Sequence, residues 1–255
     1  MSVDRERRFG GLARLYGNGA LARFRRARVA VAGVGGVGSW AVEGLARSGI
    51  GQLLLIDLDH IAESNVNRQI QALEPDFGKA KVQALAERIA LIDSGTRVDC
   101  LETFAEPDNL AQLIPDDLDF LLDCIDGYRN KAALIAHCRR RRIPLITVGG
   151  AGGIVDPTRI RIADLSRTEQ DPLLAKTRKL LRTDFGFPRN PKRRFEVPCV
   201  FSDEARITPE QAGGCDTGGT PGSGLNCGGY GSVVTVTATF GFAAVSRVLG
   251  KLSGK

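Results

Sequence analysis

The chain has 255 residues, enough for one large α/β domain with a full core or for one domain carrying sizeable insertions, and we read it as the second. A hydrophobic content of 43% with 25% charged residues excludes a mainly disordered chain. The 35 Lys and Arg against 29 Asp and Glu give a formal charge of +6, which by itself points only weakly to polyanionic partners.

The opening MSVDRERRFGG is charged and has no apolar centre, which argues against a secretory signal. The longest apolar run, Val233 to Val245, is interrupted by Thr and Gly and is too short to span a bilayer comfortably. Cys100, Cys124, Cys138, Cys199, Cys215 and Cys227 form no CxxC pair, so neither a zinc ribbon nor a disulfide framework is expected. The expectation is a cytoplasmic protein with no membrane partner.

Along the first 150 residues, short β-branched runs alternate with helix-period segments, the pattern of a parallel sheet with crossover helices. Strands are predicted at Arg28 to Ala32, Leu53 to Asp57, Arg97 to Leu101, Phe120 to Cys124 and Pro144 to Val148. Helices are predicted at Val37 to Arg47, Lys79 to Ile92 and Arg129 to Arg141, where apolar residues recur every three or four positions. Beyond the Gly-rich turn Gly149 to Gly153, an alternating strand is expected at Arg159 to Ala163, then a basic helix opened by Asp171 as cap and Pro172 as first residue. Residues 184–226 read as loops, and a last helix carrying Val233 to Leu249 follows Gly228, Gly229 and Gly231. The fold class is thus α/β, a Rossmann-like, mostly parallel sheet with flanking helices, extended by antiparallel strands and a basic helical and loop insertion. Residues 1–164 would be the nucleotide-binding core with an N-terminal arm, and 165–255 a basic helix, loops and C-terminal helix packed on the same domain.

Gly33, Gly35, Gly36 and Gly38 follow the first strand and open a helix, so backbone can approach phosphate oxygens closely at the helix N-terminus. Asp57 ends the next strand, where a carboxylate can accept ribose hydroxyls. These features fit NAD as well as ATP, since both carry a diphosphate and a ribose. The residues that follow favour a triphosphate: Arg68 in SNVNRQ, then Lys79 and Lys81 at the head of a helix, bring cations toward the turn. Asp126, just after the fourth strand, is placed to hold magnesium on phosphates. Singly, Arg68 and Lys81 could equally be solvated charges and Asp126 a helix cap.

In the order VAGVGGVGS, LLLIDLD, SNVNRQ, GKAKV and LLDCID, the chain resembles the ubiquitin-activating-enzyme-like adenylating superfamily, which includes activators of sulfur-carrier proteins. The resemblance assigns the glycine turn to phosphate, Asp57 to ribose, Asn65 and Arg68 to phosphates, Lys81 to the triphosphate and Asp126 to magnesium. It also places Arg8, in ERRFGG, where the family takes an arginine from the other subunit of a homodimer. RRFGGLARLYG, VGGAGGIVDPT, QDPL, VPCVFSDE and TVTATFGF are similar to one branch, the dehydratases of threonylcarbamoyladenosine at position 37 of tRNA. That branch implies ATP and magnesium as cofactors, a monovalent cation as a further candidate, and tRNA as substrate, with Arg8, Arg68, Lys81 and Asp126 as the catalytic set.

Eight basic residues and one acid lie between Lys176 and Arg194. An isolated charge run of this kind is usually a solvated helix face. With the resemblance, Arg178, Lys179, Arg182, Lys192, Arg193 and Arg194 become the expected tRNA footprint. Cys227 precedes the last predicted helix, whose N-terminus would favour a thiolate. The resemblance offers it a sulfur-relay role with cysteine-desulfurase or sulfur-acceptor partners, against the plainer reading of an incidental loop cysteine. Cys100, Cys124 and Cys138 read as core. A sulfur-carrier adenylyltransferase, an NAD-dependent oxidoreductase and a catalytically silent binding module are the rival readings.

Overall fold

The computed structural model describes residues 4–207 and 230–254. Two helices form the N-terminal arm, α1 (Arg5–Tyr16) and α2 (Ala20–Arg26). The alternating core follows as β1 (Arg28–Ala32), α3 (Gly36–Ala46), β2 (Gln52–Ile56), α4 (Lys81–Ile92), β3 (Arg97–Leu101), a short α5 (Leu110–Leu113), β4 (Phe120–Asp123), α6 (Tyr128–Arg141) and β5 (Leu145–Val148). Beyond it come β6 (Ile160–Asp164), α7 (Pro172–Asp184), β7 (Pro198–Ser202) and α8 (Val234–Ser253).

The strands make one seven-stranded sheet in the order β3-β2-β1-β4-β5-β7-β6, parallel throughout except for the antiparallel pair of β6 with β7. β1, β2, β4 and β5 are short apolar runs, VAVA, LLLI, FLLD and LITV, because helices cover both faces of a parallel sheet. One apolar layer packs α2, α3, α4 and α8 on one face, and the other packs α5, α6 and α7 on the opposite face. Chain order reverses at β1, whose neighbours are β2 and β4, so a crevice opens at their carboxyl ends, where α/β sheets bind ligands.

The elements depart from the sequence reading in three places. The stretch 184–226 is not all loop: Pro198–Ser202 forms β7, inserted between β5 and β6. Its Cys199, Val200 and Phe201 are all buried, so the strand shows no alternation that would mark it in sequence. The N-terminal arm, for which no elements were expected, is helical and docked: Asp4 caps α1 by accepting from the Arg7 amide, Phe9 is buried, and Arg5 pairs with the fully buried Asp93. The helix expected from Lys79 begins at Lys81, since Ala80 has ψ of 130°.

Within the glycine turn, Gly33 has φ of +83°, and a Cβ there would lie 2.9 Å from the Cys124 backbone. Gly38 has a different task from the one expected. A Cβ on it would meet the Gly33 carbonyl oxygen, so it lets α3 close onto the turn and does not line the crevice.

Candidate active site

A cavity of about 470 Å³ fills the crevice, within the range of small-molecule sites. Gly33, Gly35, Gly36, Asp57, Asn65, Arg68, Lys81 and Asp126 all line it, so the polar set singled out in sequence converges there from four separate segments. Arg8 does not line it; in this chain its Nη1 donates to the Ile92 carbonyl at 2.9 Å. Lys79 is also absent, because its ammonium is held by Glu87 at 2.5 Å and Asp76 at 3.3 Å.

Each polar side chain is held by local structure. The Val34 amide donates to Asp57 Oδ2 at 2.7 Å and the Asp59 amide to Asp57 Oδ1 at 2.9 Å, orienting the carboxylate at the end of β2. Asn65 Oδ1 accepts from the Ala62 amide at 3.1 Å. The segment 63–69 folds over the turn because α8 and α3 anchor it: Trp40 Nε1 and Thr237 Oγ1 both donate to the Arg68 carbonyl, at 3.0 and 3.3 Å. A Cβ on Gly36 would lie 3.6 Å from the Arg68 side chain, which places this cation directly beside the turn. Arg68 Nη1 donates to the Ser64 carbonyl at 2.6 Å and Asn67 Oδ1 at 3.0 Å, leaving guanidinium donors for a ligand.

Lys81 Nζ is bound to Asp59 Oδ2 at 2.7 Å. Asp59 was not singled out in sequence, although it lies two residues after Asp57 in LLLIDLD, a spacing that puts two carboxylates at one strand end. It lines the cavity with Asp57 and Asp126. Burial raises the Asp57 carboxyl pKa above its ordinary value, with Lys81 opposing. Asp126 is exposed toward the cavity yet ringed closely by protein; desolvation raises its pKa, and the charges on Asp59 and Asp57 add to the rise against Lys131. The carboxylate cluster and single bound lysine form an environment in which a divalent cation would relieve repulsion. Among the described residues no group of three or more His, Cys, Asp or Glu side chains is placed to hold a metal ion by itself.

The raised Asp126 value has a measurable consequence. A folded-state pKa above the unfolded value means that ionisation destabilises the fold, a penalty absent below about pH 3.8 and complete above the raised value. Asp126→Asn is therefore expected to raise the thermal midpoint of the ligand-free protein at pH 7. The gain should vanish as the pH is lowered toward 4, and a gain independent of pH would sink the explanation.

Behind the cavity lies a network absent from the sequence reading. Lys131 Nζ, on α6 and fully buried, donates to Asp123 Oδ2 at 2.9 Å and to Thr147 Oγ1 at 3.1 Å, and Thr147 Oγ1 donates to Asp123 Oδ2 at 2.6 Å. The Ile125 amide donates to Asp123 Oδ1 at 3.1 Å, so the same carboxylate shapes the turn that carries Asp126.

Cys124, expected in the core, is only partly buried and lines the cavity. Desolvation pushes its thiol up to about 12, and those of Cys100 and Cys138 to about 11 and about 12, so these remain thiols at neutral pH. Cys199 is buried beside β5, with its pKa likewise raised by burial. Cys215, Cys227, Gly228 and Gly229 lie outside the described residues.

The basic stretch divides in two. Arg178 is half-buried and donates to Thr168 Oγ1, while Arg182 stacks 5.0 Å over Phe195 and donates to the Pro188 carbonyl. Both are occupied by packing, because they flank the buried face of α7 formed by Leu174, Thr177 and Leu181. Lys179, Lys192, Arg193 and Arg194 are exposed. Among the described residues no helix is long and apolar enough to cross a membrane.

The fold and cavity define an α/β protein of the nucleotide-binding class, with side-chain cations beside its glycine turn. The chain belongs to the ThiF family, which matches residues 9–255. It is 50% identical over 251 residues to the tRNA threonylcarbamoyladenosine dehydratase of Haemophilus influenzae, covering 98% of this chain and 95% of that protein. Its structure matches that of the Escherichia coli tRNA N6-threonylcarbamoyladenosine dehydratase in complex with ATP, with a TM-score of 0.89, 47% identity and coverage of 100% and 97%. The AMP complex of the same Escherichia coli enzyme matches with a TM-score of 0.88, 48% identity and coverage of 100% and 97%.

Proposed function

We propose that this chain is an ATP-dependent dehydratase of N6-threonylcarbamoyladenosine at position 37 of tRNA, acting by adenylation of the threonine carboxylate. The observation that carries the reading is 50% identity over nearly the full length to a dehydratase of that nucleoside, in a chain whose cavity brings Asp57, Asn65, Arg68, Lys81 and Asp126 together. A sulfur-carrier activator typically carries two CxxC pairs, and this sequence has none. An oxidoreductase would have no evident use for Arg68, Lys81 and Asp126 together.

A carboxylate is a poor electrophile until it carries a leaving group. One threonine carboxylate oxygen attacks the α-phosphorus, the bond from that phosphorus to the bridging oxygen breaks, and pyrophosphate departs with the electron pair. A nitrogen or oxygen of the ureido group then attacks the activated acyl carbon and gives up its proton; the acyl bond to AMP breaks and a ring closes. The lost carboxylate oxygen leaves on AMP, so the nucleoside is dehydrated overall.

Asp57 would accept from the ribose hydroxyls, while amides of the Gly33 to Gly36 turn and the N-terminus of α3 face the phosphates. Arg68, Asn65 and Lys81 would stabilise charge developing on phosphate in the first step, and Lys81 has donors left after its bond to Asp59. Asp126 would hold magnesium, which when bound neutralises the triphosphate and pyrophosphate oxygens. No protein nucleophile is needed, consistent with the high thiol pKa of Cys124. Arg8 would complete the phosphate site of a second subunit in a homodimer. In that case Arg8→Ala slows adenylation in protein that circular dichroism shows to be folded, and full activity of the variant would remove the arginine from the site.

The deciding experiment supplies ATP, magnesium and tRNA prepared with or without threonylcarbamoyladenosine. AMP release that depends on the modification is expected; release only with a small carrier protein ending in Gly-Gly would refute the reading.

The tRNA surface would centre on the exposed Lys179, Lys192, Arg193 and Arg194, which can reach phosphates without disturbing the core. Replacing all four with Ala is expected to raise the KM for tRNA and to flatten its salt dependence, while Arg178→Ala and Arg182→Ala act mainly on stability. An unchanged salt slope in the fourfold variant would move the footprint elsewhere.

A further inference from the structure

Besides the glycine turn and the polar set, the cavity is walled by Gly150 and Gly152 after β5, Leu173 near the start of α7, Arg206 and Tyr230. None of these five residues belongs to the set discussed so far, from Asp57 to Asp126. We infer that the wall around Arg206 and Tyr230 receives the threonylcarbamoyl arm of the substrate, with Arg206 donating to its ureido carbonyl, making Arg206 a specificity-determining residue. The inference rests on the function proposed above.

Arg206 is held firmly. Its Nη2 donates to the Gly150 carbonyl at 2.8 Å and to Asp171 Oδ2 at 3.0 Å, and its Nη1 donates to the Gly152 carbonyl. Asp171 is fixed in turn, since it caps α7 by accepting from the Leu174 amide at 2.9 Å and also accepts from the Gly150 amide at 2.9 Å. The backbone on either side is tied as well: the Ile207 amide donates to the Gly153 carbonyl at 2.7 Å, and the Gly153 amide to the Gly231 carbonyl at 2.8 Å. A guanidinium so constrained cannot swing to find new acceptors. Its Nε is nevertheless buried with no hydrogen-bond partner among the described residues. A buried donor without an acceptor is costly, and such groups in native proteins call for an explanation. Because Arg206 borders the cavity, an oxygen supplied by the ligand is the simplest one.

The chemistry selects the kind of oxygen. Asp171, almost wholly buried, already balances the Arg206 charge, so the pair as a unit is near neutral and suits a neutral carbonyl better than a second anion. The threonine carboxylate must stay free to attack phosphorus, whereas the ureido carbonyl takes no bond-making part in adenylation. Tyr230 adds an aromatic wall against the same loop; a Cβ on Gly153, where φ is +74°, would lie 2.8 Å from its Cδ1. A planar ureido-purine matches this combination of ring face and fixed donor.

Arg206→Lys keeps the charge opposite Asp171 but removes the Nε donor. The double variant Arg206→Gln with Asp171→Asn removes both charges together and guards against misfolding of the first. The probe is the free nucleoside N6-threonylcarbamoyladenosine, competing against modified tRNA in the AMP-release assay. Both variants are expected to weaken its inhibition about tenfold or more, with ATP affinity and binding of unmodified tRNA within about twofold of the parent. Unchanged nucleoside inhibition would overturn the assignment, as would a parallel loss of ATP affinity, which marks a merely structural clamp. If the unaltered protein releases no AMP in response to the modification, the proposed function fails and this assignment with it.

Discussion

Lys81→Met is expected to slow pyrophosphate release from ATP by about 10²–10³-fold, the usual cost of removing one preorganised donor from a developing charge. Lys81 is the cation whose geometry is most strongly determined. It is the first residue of α4, its side chain is almost entirely buried, and its ammonium is fixed by Asp59 at 2.7 Å. The effect on folding should be small, because Asp59 is half-exposed and water can solvate it once the lysine is gone. Single-turnover measurement at saturating ATP separates chemistry from binding. An unchanged rate with weaker ATP affinity would make Lys81 a ground-state contact only.

Lys131→Met should destabilise the fold by about 3–5 kcal/mol, the range for removing one partner of a buried ion pair. Both Lys131 and Asp123 are fully buried, and Thr147 completes the set, so methionine would leave the Asp123 carboxylate without its countercharge. Urea unfolding with an unchanged slope would measure this loss as a shift in midpoint. The double variant Lys131→Met with Asp123→Asn should recover part of it, since no buried charge remains. If the single variant lost less than about 1 kcal/mol, water must reach the pair. The network joins β4, β5 and α6 just behind the turn bearing Asp126. Damage here is therefore expected to appear in stability before it appears in chemistry.

The parts of this protein legible from sequence are those governed by local rules. β1, β2, β4 and β5 were visible because a strand covered on both faces is written as an unbroken apolar run. The start of α7 was visible because Asp171 and Pro172 are a cap and a first-turn residue. β7 was missed for a physical reason: five residues opening with proline are too few to show a period, and the strand exists because β5 and β6 offer it backbone partners. The helical arm was missed in a similar way. Its place depends on distant contacts, such as Arg5 with Asp93 and Arg8 with the Ile92 carbonyl.

The site shows the same division. Asp57, Arg68, Lys81 and Asp126 could be named from their order along the chain, since Asp57 and Asp126 follow strand ends, Lys81 opens α4 and Arg68 lies in the segment between β2 and α4. Gly38 and Arg182 were assigned to ligands by type and position, but packing claims them: one lets α3 meet the turn, the other covers Phe195. Asp59, Lys131 and Arg206 carried no local signal strong enough to single them out, because their roles come from partners 22, 8 and 35 residues away.

By itself, then, the sequence determined the parallel α/β frame, the glycine turn after β1 and the order in which the polar residues reach the crevice. These follow from propensity, hydrophobic patterning and the handedness of crossover connections, which act over a few residues at a time. Only the tertiary structure decided which charges face the cavity and which are consumed in ion pairs. It also decided that the cavity is bordered by an arginine whose buried Nε has no acceptor among the described residues. A side chain's identity states what bonds it can make, but burial and the positions of its competitors, set by contacts between distant segments, decide which of those bonds are left for a ligand.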